Sequence, residues 1–270
     1  MKWGLIYNLH NEKAKTLAQD TYEFLNKNGE VFLEKKFDEK QNIKEYSLEE
    51  INKKSEIIVT IGGDGTILRA LTEIEKPIFA INSGGMGFLC ESESKYAQSG
   101  LQKVIDGDYN VEERAKLKIT LDGERLPDAA NEATVQTARI AKIMYLQVFV
   151  EDELLETLGA DGVIVSTPTG STSYSLSVGG PIMDPSVNAM IVAPLAPFKL
   201  SARPWVVPLD KKVRIKVLAK SKEPRLVIDG ESPQQVTPDS EIIITGSEKK
   251  ARFVRFGESF YQMVRLKLVR

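Results

Sequence analysis

Glu56-Ile57-Ile58-Val59-Thr60-Ile61 runs without a break into Gly62-Gly63-Asp64-Gly65-Thr66, so a β-branched strand is delivered straight to a glycine-rich turn. The stretch 67–74 that follows predicts a helix. Glycines at such a junction let the backbone come close to an anion, and the free N–H groups at the helix start supply donors and the positive end of the dipole. Phosphate is the natural guest. A tight turn with Asp64 capping the helix explains the same spacing. The motif is neither Gly-x-x-x-x-Gly-Lys-Ser/Thr nor Gly-x-Gly-x-x-Gly, so neither a conventional P-loop nor a Rossmann dinucleotide site is predicted.

On either side of this junction, residues 1 to about 110 alternate short apolar runs with helical-period segments, the rhythm of βαβ units and a mostly parallel, Rossmann-like sheet. Residues 3–7 predict a strand, 12–27 a helix with Ala14, Leu17, Ala18, Tyr22 and Leu25 at helical spacing and a stop at Asn28-Gly29, 31–33 a short strand, and 48–53 a short helix. Residues 77–81 predict a further strand ending in Asn82-Ser83-Gly84-Gly85-Met86-Gly87, and 96–105 a helix closed by Asp106-Gly107.

Past about residue 111 the period becomes two, as in Leu117-Lys118-Ile119-Thr120-Leu121, Val213-Arg214-Ile215-Lys216-Val217 and Glu241-Ile242-Ile243-Ile244. Turn signals fall at Asp122-Gly123, Asp229-Gly230 and Gly246-Ser247, and one helical opportunity follows Gly170. The end of the chain, 264–270, alternates Val264, Leu266 and Leu268 with basic residues and predicts a strand with one wet face.

The 270 residues suffice for two modest domains or one large one, at about 150 residues per domain. Lys+Arg 36 against Asp+Glu 38, with 42% hydrophobic and 27% charged residues, is the balance of an ordinary soluble globular protein. No strong nucleic-acid or membrane field is implied. The opening Met1-Lys2-Trp3-Gly4-Leu5-Ile6-Tyr7-Asn8 is too short an apolar run for a signal peptide, and no window predicts a transmembrane helix. One cysteine, Cys90, makes no internal disulfide and fits a reducing cytoplasm; it reads as a small buried residue. His10 is the one histidine, so Ser-His-Asp, Cys-His and multi-histidine metal sites are all excluded.

A second constellation is Ser166-Thr167-Pro168-Thr169-Gly170-Ser171-Thr172-Ser173-Tyr174, preceded by Asp161-Gly162 and the strand Val163-Ile164-Val165. It carries a dense row of hydroxyls that suits a polyol or nucleotide, although a solvated Ser/Thr loop has the same composition. A third is Asn131-Glu132, an amide and a carboxylate at a strand start that could grip vicinal ribose hydroxyls.

Together with Asn82-Ser83-Gly84-x-Met86-Gly87-Phe88-Leu89, Gly179-Gly180-Pro181 and Asp229-Gly230, these elements resemble, in order and over nearly the whole chain, the ATP-NAD kinase family. The Gly62–Thr66 element is shared with phosphofructokinases and with diacylglycerol and sphingosine kinases, whereas the block from Asp161 to Tyr174 is far more specific. The resemblance implies an α/β N-terminal domain with a parallel sheet, 1–110 with 251–270, carrying the glycine loop, and an all-β or β-rich dinucleotide-binding domain, 111–250. It implies transfer of the terminal phosphoryl group of ATP, or of another phosphoryl donor, to the adenosine 2′-hydroxyl of NAD. Asp64 would be the catalytic carboxylate, with Gly62, Gly63, Gly65 and Thr66 facing the phosphates. Asn131, Glu132, Asp161, Thr169, Thr172, Ser173, Tyr174 and Ser177 would surround the dinucleotide, and Leu68 and Phe88 would be apolar walls. A divalent metal, Mg2+ or Mn2+, would be held mainly by the nucleotide phosphates rather than by a protein metal site. Substrates would be NAD and ATP, with no nucleic acid or membrane partner, and the protein a homodimer or homotetramer.

The chain departs from the family pattern at Gly159, where a basic residue is usual, at Ser173 for Ala, at Phe198 for His, and at Glu231 for Gln. The rival readings are a lipid or sugar kinase sharing the loop, and a nucleotide-sensing protein without catalysis.

Overall fold

The computed structural model describes residues 1–85, 87–219, 221–238, 240–257 and 259–268, with the side chain of Ser232 also outside the description. Met86 of the second glycine loop and residues 269–270 of the expected last strand therefore lie outside the described residues. The chain divides into two compact units, 1–113 with 251–270, and 114–250.

In the first unit, β1 (Lys2–Tyr7), β2 (Glu30–Leu33), β3 (Ile57–Gly62) and β4 (Ile78–Asn82) form a parallel sheet in the order β2-β1-β3-β4, with the short β5 (Ser92–Glu93) beside β4. Parallel neighbours require crossovers. These are α1 (Glu12–Asn26), α2 (Leu48–Lys54) and α3 (Asp64–Leu71), while α4 (Ala97–Asp106) follows β5. Local chemistry sets the ends: Asn11 accepts the Ala14 N–H at 3.1 Å to cap α1, and Ser47 and Glu50 form a reciprocal capping box on α2. Trp3, Leu5, Val59, Ile61, Phe79 and Ile81 are buried against Ala14, Ala18, Leu25 and Leu101. Helix α3 begins at Asp64, earlier than the apolar period indicated, because Gly63 is its extended N-cap (φ −102°, ψ −172°). Asp64 is thus the first helical residue at the carboxyl end of β3.

The second unit is almost entirely β. β6 (Asn110–Leu121), β7 (Glu124–Arg125), β8 (Glu132–Thr137), β9 (Met144–Val150), β10 (Glu153–Ala160), β11 (Gly162–Ser166), β12 (Ala189–Leu195), β13 (Trp205–Pro208), β14 (Val213–Val217), β15 (Pro224–Ile228), β16 (Glu231–Gln235) and β17 (Glu241–Arg255) follow in the chain. One sheet runs β10-β9-β14-β17, with β6 on β17; the other runs β13-β12-β11-β8-β15-β16, all antiparallel. Leu117, Leu146, Ile215 and Ile242 of the first meet Val135, Val163, Val192 and Leu226 of the second in a common core. The helical opportunity after Gly170 is a 3₁₀ turn, Thr169–Thr172, followed by a single turn, α5 (Tyr174–Ser177).

Two expectations are corrected. Gly246-Ser247 is no turn but lies inside β17, where a Cβ on Gly246 would meet the Leu209 carbonyl at 2.7 Å: the glycine marks a close backbone approach. The terminal segment is helix α6 (Phe260–Leu268), not a strand. Ser259 accepts the Gln262 N–H at 3.2 Å while Gln262 accepts the Ser259 N–H at 3.3 Å, a capping box that starts a helix and overrides the alternation that follows. Among the described residues no helix is long and apolar enough to cross a membrane.

The returning end of β17 places Phe253 in parallel register with Ile78. Arg255 then donates to the Leu89 carbonyl and to Glu91, each at 3.1 Å, and to Glu112 at 2.8 Å, while the Phe256 N–H donates to Glu91 at 2.7 Å. With Arg255 and Glu91 both largely buried, removing the guanidinium leaves a buried carboxylate uncompensated, a loss of about 3–5 kcal/mol. Arg255→Leu is therefore expected to lower the urea unfolding midpoint steeply at unchanged slope, whereas Arg252→Leu, whose ion pair with Glu113 is exposed, should shift it little.

Candidate functional site

The first unit carries one half of the candidate residues. Gly62 and Asn82 are paired across the parallel strands β3 and β4, so the two glycine loops leave the carboxyl edge of the sheet side by side, the usual position of a ligand crevice in such sheets. The Asp64 carboxylate is fixed between them. Its Oδ2 accepts the Phe88 N–H at 2.8 Å and its Oδ1 the Leu89 N–H at 3.1 Å. A Cβ on Gly87 would sit 2.7 Å from Oδ1, so this approach requires glycine. Gly63 and Gly65 present the opposite case. Neither has a positive φ, and a Cβ on either would meet nothing within 4 Å. Neither conformation nor packing asks for glycine there, while an incoming ligand close to the backbone would.

Thr66 and Leu68 are buried on α3. Phe88 is half-buried, with the Lys267 ammonium 5.4 Å from its ring centre. Cys90 is buried beside the Gly62 carbonyl (Sγ to O 3.8 Å), and burial, with the Asp64 charge, pushes its thiol up to about 12, which keeps it protonated at neutral pH. A cavity of about 760 Å³ opens alongside, lined by Asn82, Gly87, Tyr96, Lys103, Phe256 and Lys267 among others.

The second unit gathers the rest around the start of β8. Ser166 pairs with Glu132 across β11 and β8. The Thr167 hydroxyl donates to the Ala130 carbonyl at 2.7 Å, and the Thr167 N–H to the Asn131 carbonyl at 2.8 Å. From the other side Asp229, missed as a site residue because Asp-Gly reads as a turn, accepts the backbone N–H groups of Ala130, Asn131 and Glu132 at 2.7, 2.8 and 2.9 Å. It does occupy the turn, with φ +48° followed by Gly230 at +79°; its carboxylate then reaches a strand start about a hundred residues away in sequence. The backbone is thus held on both sides, while Asn131 Oδ1, Glu132 Oε2 and Thr169 Oγ1 are buried with no partner. Buried polar atoms are rarely left so.

Burial first, and the Asp229 charge second, push Glu132 up to about 7, partly offset by a hydrogen bond from Ser173. Burial likewise raises Asp229 against its three backbone donors and Lys116. Tyr174 is raised by burial, then by Asp161 and Glu132; it lines an open cavity of about 270 Å³ with Asp161, Gln136 and Leu195. Thr172 donates to the Thr169 carbonyl at 3.2 Å, and Ser177 is exposed at the end of α5. Two of the departures adjoin, since the Phe198 N–H donates to the Gly159 carbonyl at 2.8 Å.

Residues 3–109 match the family model described as the ATP-NAD kinase N-terminal domain, and 130–256 that of the ATP-NAD kinase C-terminal domain. The NAD kinase of Methanothermobacter thermautotrophicus is 42% identical over 274 residues, covering 100% of this chain and 96% of that protein. That of Thermococcus kodakarensis is 41% identical over 276 residues, with 99% of each covered. Among solved structures, yeast NADH kinase complexed with NADH is 25% identical, with a TM-score of 0.90 over 100% of this chain and 87% of that one. An NAD kinase from Archaeoglobus fulgidus in complex with ATP is 28% identical, with a TM-score of 0.78 over 98% and 99%. These matches support neither the lipid- or sugar-kinase reading nor the non-catalytic sensor.

A raised carboxyl pKa stabilises the fold fully below the unfolded value of 4.5 and loses that contribution as pH climbs through the folded value of about 7. The ionised Glu132 then costs the fold up to about 3 kcal/mol. Glu132→Gln is expected to match the parent in thermal unfolding at pH 4.5 and to exceed it at pH 8; parallel pH profiles would remove the burial cost.

Proposed function

The chain belongs to the ATP-NAD kinase family and is a phosphotransferase of the NAD kinase kind; on that premise we propose that Asp64 orients the adenosine 2′-hydroxyl of NAD and accepts its proton as the oxygen attacks the donor's terminal phosphorus. The new P–O bond forms as the bond to the leaving nucleoside diphosphate breaks, and NADP results. The observation that carries this reading is a fixed carboxylate at the mouth of a loop whose Gly63 and Gly65 face no protein atom. With both oxygens already held by backbone N–H groups, the carboxylate keeps lone pairs for a hydroxyl in one set position, the positioning that phosphoryl transfer chiefly requires. Gly62, Gly63, Gly65 and Thr66 supply the backbone that faces the phosphates.

In the same reading, residues 111–250 bind the dinucleotide. Asn131, Glu132 and Thr169 offer their unpartnered atoms to ribose hydroxyls and the adenine amine, with Asp161, Thr172, Ser173, Tyr174 and Ser177 around them. Among the described residues no three His, Cys, Asp or Glu side chains converge as a cation cage. The divalent metal generally needed by the family would be held mainly by the donor's phosphate oxygens, with Asp64 offering a carboxylate at the glycine loop. When bound, the cation would neutralise charge on the donor phosphates.

Asp64→Asn is expected to lower kcat for NADP formation from NAD and Mg-ATP by about 10²–10⁴-fold. The amide also sets an NH2 against one of the two backbone N–H donors, so the 87–89 backbone should shift. Glu132→Gln and Asp161→Asn should instead weaken NAD binding by calorimetry, each by about 1.5–3 kcal/mol. Near-native turnover in the first variant contradicts the proton-accepting role of Asp64, and native affinity in both others contradicts the dinucleotide contacts of Glu132 and Asp161.

The protein is further proposed to be a homo-oligomer in the cytoplasm. β13 is an edge strand carrying the exposed Trp205 and Val206, and Ile140, Phe198 and Leu200 are exposed at 96%, 83% and 91%. A free strand edge and exposed apolar side chains both suit contact with another copy. Light scattering should give a mass of two or four chains, and Phe198→Asp with Leu200→Asp should reduce it.

A further inference from the structure

The peptide group joining Gly87 to Phe88 stands between two charges. Its N–H donates to Asp64 Oδ2 at 2.8 Å, and its carbonyl accepts from the Lys267 ammonium on α6. Leu89 is also held from both sides, but through two different peptide groups: its N–H donates to Asp64 Oδ1 at 3.1 Å and its carbonyl accepts from Arg255 at 3.1 Å, so the Gly87–Phe88 peptide alone stands directly between Asp64 and a cation. We infer that Lys267 is a positioning residue for the phosphoryl-transfer step, acting on Asp64 through the Gly87–Phe88 peptide; this rests on the catalytic reading of Asp64.

A cation at a carbonyl oxygen polarises the amide and strengthens the hydrogen bond its N–H gives to an anion. The ammonium also lies over the Phe88 ring, so it grips the loop at both the backbone and the side chain. Arg255 is committed to the fold through Glu91 and Glu112, whereas Lys267 stands on a helix with no buried residue. Its tie is therefore separable from folding. α6 becomes a brace for the loop that aims the carboxylate, which gives the capped terminal helix a purpose that its own burial does not supply.

The test uses the full-length protein. Lys267→Met keeps the apolar stem and removes the charge. It is expected to lower kcat by about 10- to 100-fold, the scale of a misplaced reacting group, with the KM for NAD unchanged and the melting temperature near that of the parent. The peptide spanning 84–91 should exchange its amide hydrogens faster, and Lys267→Arg should restore both kcat and slow exchange. Lys103→Met, which removes the other lysine of the neighbouring cavity without touching the loop, should leave turnover as it was. Native kcat with native exchange in Lys267→Met overturns the inference, as does a loss of activity that Lys267→Arg leaves uncorrected. Asp64→Asn, assayed alongside, separates the two failures. If it retains turnover, the role of Asp64 falls; if it is inactive while Lys267→Met is native, the brace alone falls.

Discussion

A carboxylate withdrawn from water must have its oxygens met by donors, and this protein answers that demand twice with backbone amides. Asp64 takes two N–H groups from the 87–89 backbone, and Asp229 takes three from 130–132. Backbone N–H groups cannot rotate away as a lysine side chain can, so each carboxylate fixes a loop as firmly as the loop fixes it. The arrangement has a geometric cost: Gly87 must lack a side chain, and Asp229 must adopt a positive φ.

The two carboxylates do different work. Asp64 is partly exposed, at the first residue of a helix and facing an open glycine loop, where the helix dipole favours negative charge. Asp229, partly exposed as well, holds the 130–132 backbone in place, and its charge helps raise Glu132. Glu132, with no donor for Oε2, is held by burial above the usual carboxylate range, so its ionised form is disfavoured. Such an unmet group is the opposite of what folding alone would select, which is why it points to a ligand more strongly than the hydroxyl-rich stretch beside it, most of whose members bond to one another or to nearby carbonyls.

Periodicity made most of the first unit legible. Residues 1–62 read as strand, helix, strand, helix and strand, because buried parallel strands are continuous apolar runs and the helices between them carry one apolar face. The β texture of the second unit was equally plain. Misreadings arose where two signals competed in a few residues. Val264, Leu266 and Leu268 alternate as a strand would, yet Ser259 and Gln262 cap a helix, and the cap decides because it satisfies backbone donors that a strand end would leave to water. Gly246 carries a turn composition but sits in a strand, since what it answers is the Leu209 backbone.

The candidate site was legible as residue types and illegible as a network, and the separation along the chain explains the difference. A motif reports what neighbours in sequence can do for one another. Asp64 is bonded to residues 24 and 25 positions away, Asp229 to residues 97 to 99 away, and Lys267 to one 180 away. No spacing rule relates such partners. What local chemistry does leave in the sequence is the space they need: a glycine at 87 without a turn to explain it, an aspartate at 229 where a turn alone would accept asparagine, and a lysine near the end of a helix with no fully buried residue. Each is ordinary by itself. Each becomes informative once the backbone shows which charge it faces.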